Sequence, residues 1–236
     1  MEIQCIWEHN GGDTILYADR FVGAFTRGIS LEEAMGKMPR EIRCYCRWLG
    51  IEAPEPLIPV VVQEKTSDLQ IRDADSDVLF DSESVPLTMD TYVRLKELAL
   101  RSARDFQALY DAVADKEASV LPERRTFYGP VPRTAEEMYR HTKNVNAYYF
   151  GEIDVAADCE GTILECRERG FAALEQQPDF LNRPVCEGSY GEMWSLGKML
   201  RRFIWHDRIH AKAMWRMAEK TFGAGSAPDV FCFSGA

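Results

Sequence analysis

Polar and apolar positions alternate with two different periods along this chain, and the change of period divides it. Over the first ~65 residues the pattern is that of short strands around one helix. Ile3-Gln4-Cys5-Ile6-Trp7 and Thr14-Ile15-Leu16-Tyr17 flank Asn10-Gly11-Gly12-Asp13, whose glycines accept the positive φ of a tight turn. Phe21-Val22-Gly23-Ala24-Phe25 reads as a third strand. Ser30-Leu31-Glu32-Glu33 is a capping box, in which the serine accepts from the Glu33 N–H and the Glu33 carboxylate reaches back. The helix it opens presents Leu31, Ala34, Met35, Met38, Ile42, Tyr45 and Leu49 and ends at Gly50. Pro39 predicts a kink or break in it. A fourth strand over residues 57–62 completes a β-β-β-α-β order and predicts a small α+β domain over residues 1–65.

Residues 66–86 are polar and acidic and read as a solvated linker. Asp73-Ala74-Asp75-Ser76-Asp77 matches the opening of an EF-hand loop, but Val78 stands where the sharp bend needs glycine, and Ser84 where the loop needs glutamate. From Leu87 the period becomes helical. Tyr92, Leu95, Ala99, Ser102, Phe106, Leu109 and Val113 form one stripe. A loop with Pro122, Gly129, Pro130 and Pro132 follows, and Thr134-Ala135-Glu136-Glu137 is a second capping box. The helix after it carries Met138, His141, Val145 and Tyr148 or Tyr149 inward and stops at Gly151. Helices over about residues 159–176 and 192–222 follow. Four amphipathic helices with short-to-medium loops predict a four-helix bundle over residues 87–225, with a tail at 226–236.

The last helix holds the chemistry. Met199, Phe203, His206, His210, Met214 and Met217 recur at steps of three or four, so His206 and His210 interrupt an apolar face. A buried imidazole without a partner costs roughly 1–3 kcal/mol. Either a shared metal ion or hydrogen bonds to carboxylates and carbonyls would satisfy the pair. His141 on the second helix is a third inward histidine, and histidine is not a preferred core residue. The rise between His206 and His210 is ~6 Å, short enough for both rings to share an ion ~2.1 Å from each. With His141 they make a facial triad whose remaining positions are open to water or substrate. Asp207-Arg208-Ile209 between the pair excludes the H-E-x-x-H of metalloproteases. Asp207 reads as a surface ion pair or as a group that orients a ligand, and Arg201, Arg202 and Arg208 as solvated surface charges also able to meet an acidic substrate. His9 reads as a loop histidine.

Composition narrows the class. A net charge of −10 gives no footprint for nucleic acid. No run approaches the ~18 apolar residues of a membrane span, and Met1-Glu2-Ile3-Gln4 does not open a signal peptide, so the expectation is a cytoplasmic protein. Most of the seven cysteines, none of them in a C-x-x-C, read as reduced packing residues, and Cys232 in the C-terminal tail as either a reactive or simply a terminal residue. Glycine-rich phosphate loops, nucleophile elbows and dinucleotide fingerprints are missing from the sequence.

His141 within Thr134-Ala135-Glu136-Glu137-Met138-Tyr139-Arg140-His141, and His206-Asp207-Arg208-Ile209-His210 after Leu200-Arg201-Arg202-Phe203-Ile204-Trp205, resemble the DinB-like superfamily of four-helix bundles. The resemblance covers about residues 87–222 and implies a divalent ion (Ni²⁺, Zn²⁺, Fe²⁺ or Mn²⁺) on His141, His206 and His210. It also implies a homodimer formed through the bundle and a small-molecule substrate. Characterised members include transferases and isomerases that use mycothiol, bacillithiol or glutathione, so a low-molecular-weight thiol is a further expected cofactor. The run from Tyr17 to Gly50, with Ser30-Leu31-Glu32-Glu33-Ala34 and Arg43-Cys44-Tyr45-Cys46-Arg47-Trp48-Leu49, is similar in pattern to HicB-like domains, which often serve as antitoxin or regulatory modules. Three functions follow as expectations: a metal-dependent thiol transferase or hydrolase, a regulatory or binding protein with a structural or sensory metal, and a bundle whose histidines are only core residues.

Overall fold

A computed structural model describes residues 1–126 and 129–234. Phe127 and Tyr128 of the proline-rich loop and the last two residues of the expected tail lie outside them. Strands β1 (Glu2–His9), β2 (Thr14–Ala18) and β3 (Phe25–Gly28) form an antiparallel meander. Helix α1 (Leu31–Leu49) crosses over, and β4 (Ile58–Thr66) returns parallel to β1, giving the order β3-β2-β1-β4. The expected β-β-β-α-β order is present. The third strand starts later than expected, because residues 21–24 turn instead, with the Ala24 N–H donating to the Phe21 carbonyl at 2.8 Å. Gly23 in that turn has φ +90° and lies against the Ile204 side chain, where a Cβ would collide.

Helix α1 runs through Pro39 without a break. Ser30 caps its start, Gly50 at φ 71° closes its end, and Met38, Ile42, Tyr45 and Trp48 are buried around the proline. Burial of that face on both sides offsets the roughly 3 kcal/mol that an interior proline costs.

Both faces of the sheet are covered. Ile3, Cys5, Leu16 and Ala18 join Ala34, Met38, Ile42 and Tyr45 of α1 in the main core. The alternate residues Ile6, Ile15 and Tyr17, with Phe25, pack against Ile71, Val78, Phe80 and Trp205. The expectation of a solvated linker at 66–86 is therefore corrected. Three apolar residues spaced through an acidic stretch are enough to dock it onto the second sheet face.

That docking buries Glu8, which accepts from the Ser76 hydroxyl at 2.5 Å and the Asp77 N–H at 3.2 Å, while the Tyr17 hydroxyl donates to Ser76 at 2.7 Å. Burial, partly opposed by the Ser76 hydrogen bond, raises the Glu8 pKa to about 7. A carboxyl raised on folding contributes stability that is complete below its ordinary value and lost as pH climbs to the folded one. Wild type should thus lose stability relative to Glu8→Gln between about pH 4.5 and 7. Urea midpoints of the two proteins across that range measure the difference, and parallel profiles would contradict it.

Helices α2 (Met89–Ala112), α3 (Ala135–Gly151), α4 (Ile163–Glu175) and α5 (Leu196–Phe222) pack as a bundle, with α2 and α3 each lying between α4 and α5. The whole predicted α2 stripe is buried. At Gly170 of α4 the Phe150 ring of α3 occupies the space a Cβ would take. The expected tail is also packed: Phe231 and Phe233 are buried, with Phe231 5.1 Å from the Trp48 ring of α1. One core runs from Ile3 through the bundle to Phe233, so the sheet layer and the helices are not separated by a gap in packing.

Candidate metal centre

Helix α5 is the axle of the molecule, and almost every turn of it is tied to a different element. Ser195 caps it by accepting from the Lys198 N–H. Lys198 Nζ donates to the Asp77 and Met193 carbonyls, both at 2.7 Å, and meets Glu192 at 2.9 Å. Its burial lowers its pKa to about 8, against the pull of Glu192. Arg201 holds Glu83 through two nitrogens at 2.5 and 3.0 Å, and Arg202 donates to the Ser76 carbonyl at 2.7 Å. Asp207 accepts from two nitrogens of Arg167 on α4, at 2.6 and 3.1 Å, and from Ser102 of α2 at 2.5 Å. Arg208 donates to Glu41 of α1 at 2.7 Å.

The reading of Asp207, Arg201 and Arg208 as surface charges is corrected, since all three are buried, and Arg202 is half-buried. The three arginines are engaged with carboxylates or carbonyls rather than presented to a substrate. Sequence reasoning missed this scaffold because each partner lies far off in the chain. Its only local signal is a helix with charges on every side and buried positions nearly all round.

This scaffold fixes the register of the histidines. His206 and His210 have ring centroids 4.4 Å apart, and His141 of α3 lies 5.1 Å from the first and 4.6 Å from the second. One ligand atom from each can be chosen so that all three lie within 4.8 Å of one another, the only such group of potential metal ligands among the described residues. The three residues singled out in the sequence thus come together. His141, however, is not a core residue: His206 is buried, His210 half-buried and His141 exposed, so the triad opens to solvent on the α3 side. The capping box of Thr134 and Glu137, complete in the structure, sets where α3 begins and hence where His141 falls. Met138 and Tyr149 carry the inward face of α3, with Val145 half-buried. Tyr149 stands edge-on to His206 at 5.9 Å.

The donor set fits a divalent transition metal. Desolvation lowers the pKa of all three imidazoles, that of His141 included because protein surrounds part of its ring although the residue reaches solvent, and repulsion within the triad lowers those of His206 and His210 further, with His210 at about 3. Neutral rings leave lone pairs free to bind. His206 Nδ1 is buried with no hydrogen-bond partner among the described residues. Ligand atoms ~2.1 Å from one ion sit ~3.0–3.4 Å apart, so side-chain rotation of about an ångström closes the group. The EF-like segment gathers no comparable set: Asp73 pairs with Arg124 at 2.9 Å, Asp77 with Lys65 at 2.7 Å, and Ser76 serves Glu8. His9 lies away from the triad, at the end of β1, stacked on Trp7 at 4.0 Å and 3.0 Å from Glu64. All seven cysteines are free thiols. No helix among the described residues is long and apolar enough to cross a membrane.

Comparison with models of protein families, with curated proteins and with solved structures finds no match to this chain.

Proposed function

We propose that the protein is a divalent-metal-dependent enzyme of the DinB-like kind, acting on a small-molecule substrate by thiol transfer or hydrolysis. The observation that carries this reading is the convergence of three neutral imidazoles from two helices on one solvent-facing point. A structural site would be closed by four protein ligands, whereas three leave positions for water or substrate. A bound divalent ion would supply Lewis acidity, lowering the pKa of a coordinated water or thiol toward neutrality. The chain's own part is to hold the donors: His206 and His210 on a helix pinned by Asp207 and Arg208, and His141 at the open rim. Tyr149 shields the buried side of His206.

A sensory or regulatory role is the second reading. It is favoured by the direct links from the histidine turn of α5 to the N-terminal layer, through Arg208 to Glu41 and through Trp205 to Phe25, whose rings are 6.0 Å apart.

Protein purified without chelators or affinity metals should carry about one equivalent of a transition metal by mass spectrometry. Less than about a tenth of an equivalent would remove both readings. Metal-dependent turnover of monochlorobimane with a low-molecular-weight thiol, lost on chelation and restored by the metal, separates the enzyme from the sensor.

A further inference from the structure

On the far side of the Arg208–Glu41 contact lies a half-open cavity of about 470 Å³, between β3, α1 and α5. Its wall carries Arg27 from β3, Lys37 and Arg40 from α1, and Lys212 and Arg216 from α5. The one carboxylate in the lining, Glu41, is already held by Arg208 at 2.7 Å and Lys212 at 3.7 Å. Lys37 pairs with Glu33 at 2.5 Å. Arg27 donates to the Arg72 carbonyl, and no carboxylate among the described residues forms an ion pair with Arg27, Arg40 or Arg216. Arg27, Arg40 and Arg216, from three separate elements, thus line one concavity without an ion-pair partner among the described residues, in a chain whose net charge is −10. Converging like charges repel, and in a concave site that repulsion is relieved by an anion rather than by bulk solvent.

We propose that this cavity binds a small polyanion bearing phosphate or carboxylate groups. Its volume lies within the roughly 300–1,000 Å³ of small-molecule sites, and its concave form suits a compact ligand better than an extended nucleic-acid backbone. Three arginines supply the paired N–H donors that match phosphate and carboxylate oxygens. Phe25, Ile209 and Phe233 give the same cavity apolar wall for the body of such a ligand. The site shares α5 with the histidine triad, Ile209 and Ala213 flanking His210, yet it needs no metal.

Calorimetric titration of the full chain with inorganic pyrophosphate, and separately with citrate, at low ionic strength tests the assignment. Saturable one-site binding of either anion is expected, and which one binds more tightly distinguishes phosphate from carboxylate ligands. Arg216→Gln and Arg40→Gln, both exposed, should each weaken binding about tenfold. Arg43→Gln, which removes an exposed arginine paired with Glu55 outside the cavity, should leave it unchanged. No saturable heat for either anion, or equal weakening by Arg43→Gln, would each overturn the proposal.

Discussion

Asp207→Ala should lower the folding free energy by about 3–5 kcal/mol, a large share of the roughly 5–15 kcal/mol of a typical domain. The carboxylate and the Arg167 guanidinium facing it are both fully buried. Arg167 lies over the Phe203 ring at 4.1 Å, and its Nε has no hydrogen-bond partner among the described residues. Removing the carboxylate strands the cation in a low-dielectric interior, and that desolvation dominates the cost rather than the lost attraction itself. The same reasoning gives a sharper comparison. Asp207→Leu combined with Arg167→Met removes both charges and should recover most of the loss, because no charge is left unpaired. Urea unfolding of the single and double variants measures this. A single variant within about 1 kcal/mol of wild type would show that the pair does not organise the bundle.

What was legible in the sequence follows from what a local pattern can encode. The α2 stripe, the capping boxes at Ser30 and Thr134, and the i, i+4 placement of His206 and His210 depend on neighbours within one or two turns, so periodicity exposes them. The docking of 66–86 was hidden because Ile71 stands seven residues before Val78, the single alternating pair Val78 and Phe80 is too short to establish a period, and their acidic neighbours dominate the composition. The burial of Arg201, Asp207 and Arg208 was hidden for a different reason. A charged residue is rarely buried unless paired, and their partners Glu83, Arg167 and Glu41 lie 118, 40 and 167 residues away. The face of His141 was misjudged because α3 buries Met138, Thr142 and Tyr149, while the arc holding His141 turns toward the opening. An exposed third histidine changes the site from a dry core cluster to one with a rim.

That rim decides how the metal reading is best tested. His206→Ala should drop the metal from about one equivalent to under a tenth, since two imidazoles hold a divalent ion far more weakly than three. Yet His206 is buried, so the variant also leaves a void, and a lower melting temperature would not by itself report metal loss. His141→Ala avoids the difficulty, because an exposed side chain can be removed without opening the core. Both variants should lose the metal, and only His206→Ala should be destabilised when compared with chelated wild type. Binding to the folded state alone contributes RT ln(1 + [M]/Kd), about 4 kcal/mol when the free metal exceeds Kd a thousandfold. Wild type should therefore melt several degrees lower after EDTA, whereas His141→Ala should melt at the temperature of chelated wild type whether or not EDTA is present. If EDTA leaves wild type unmoved, the histidines do not hold a tightly bound ion. If it moves His141→Ala as far as wild type, the ion is held by other ligands and the triad is not its site.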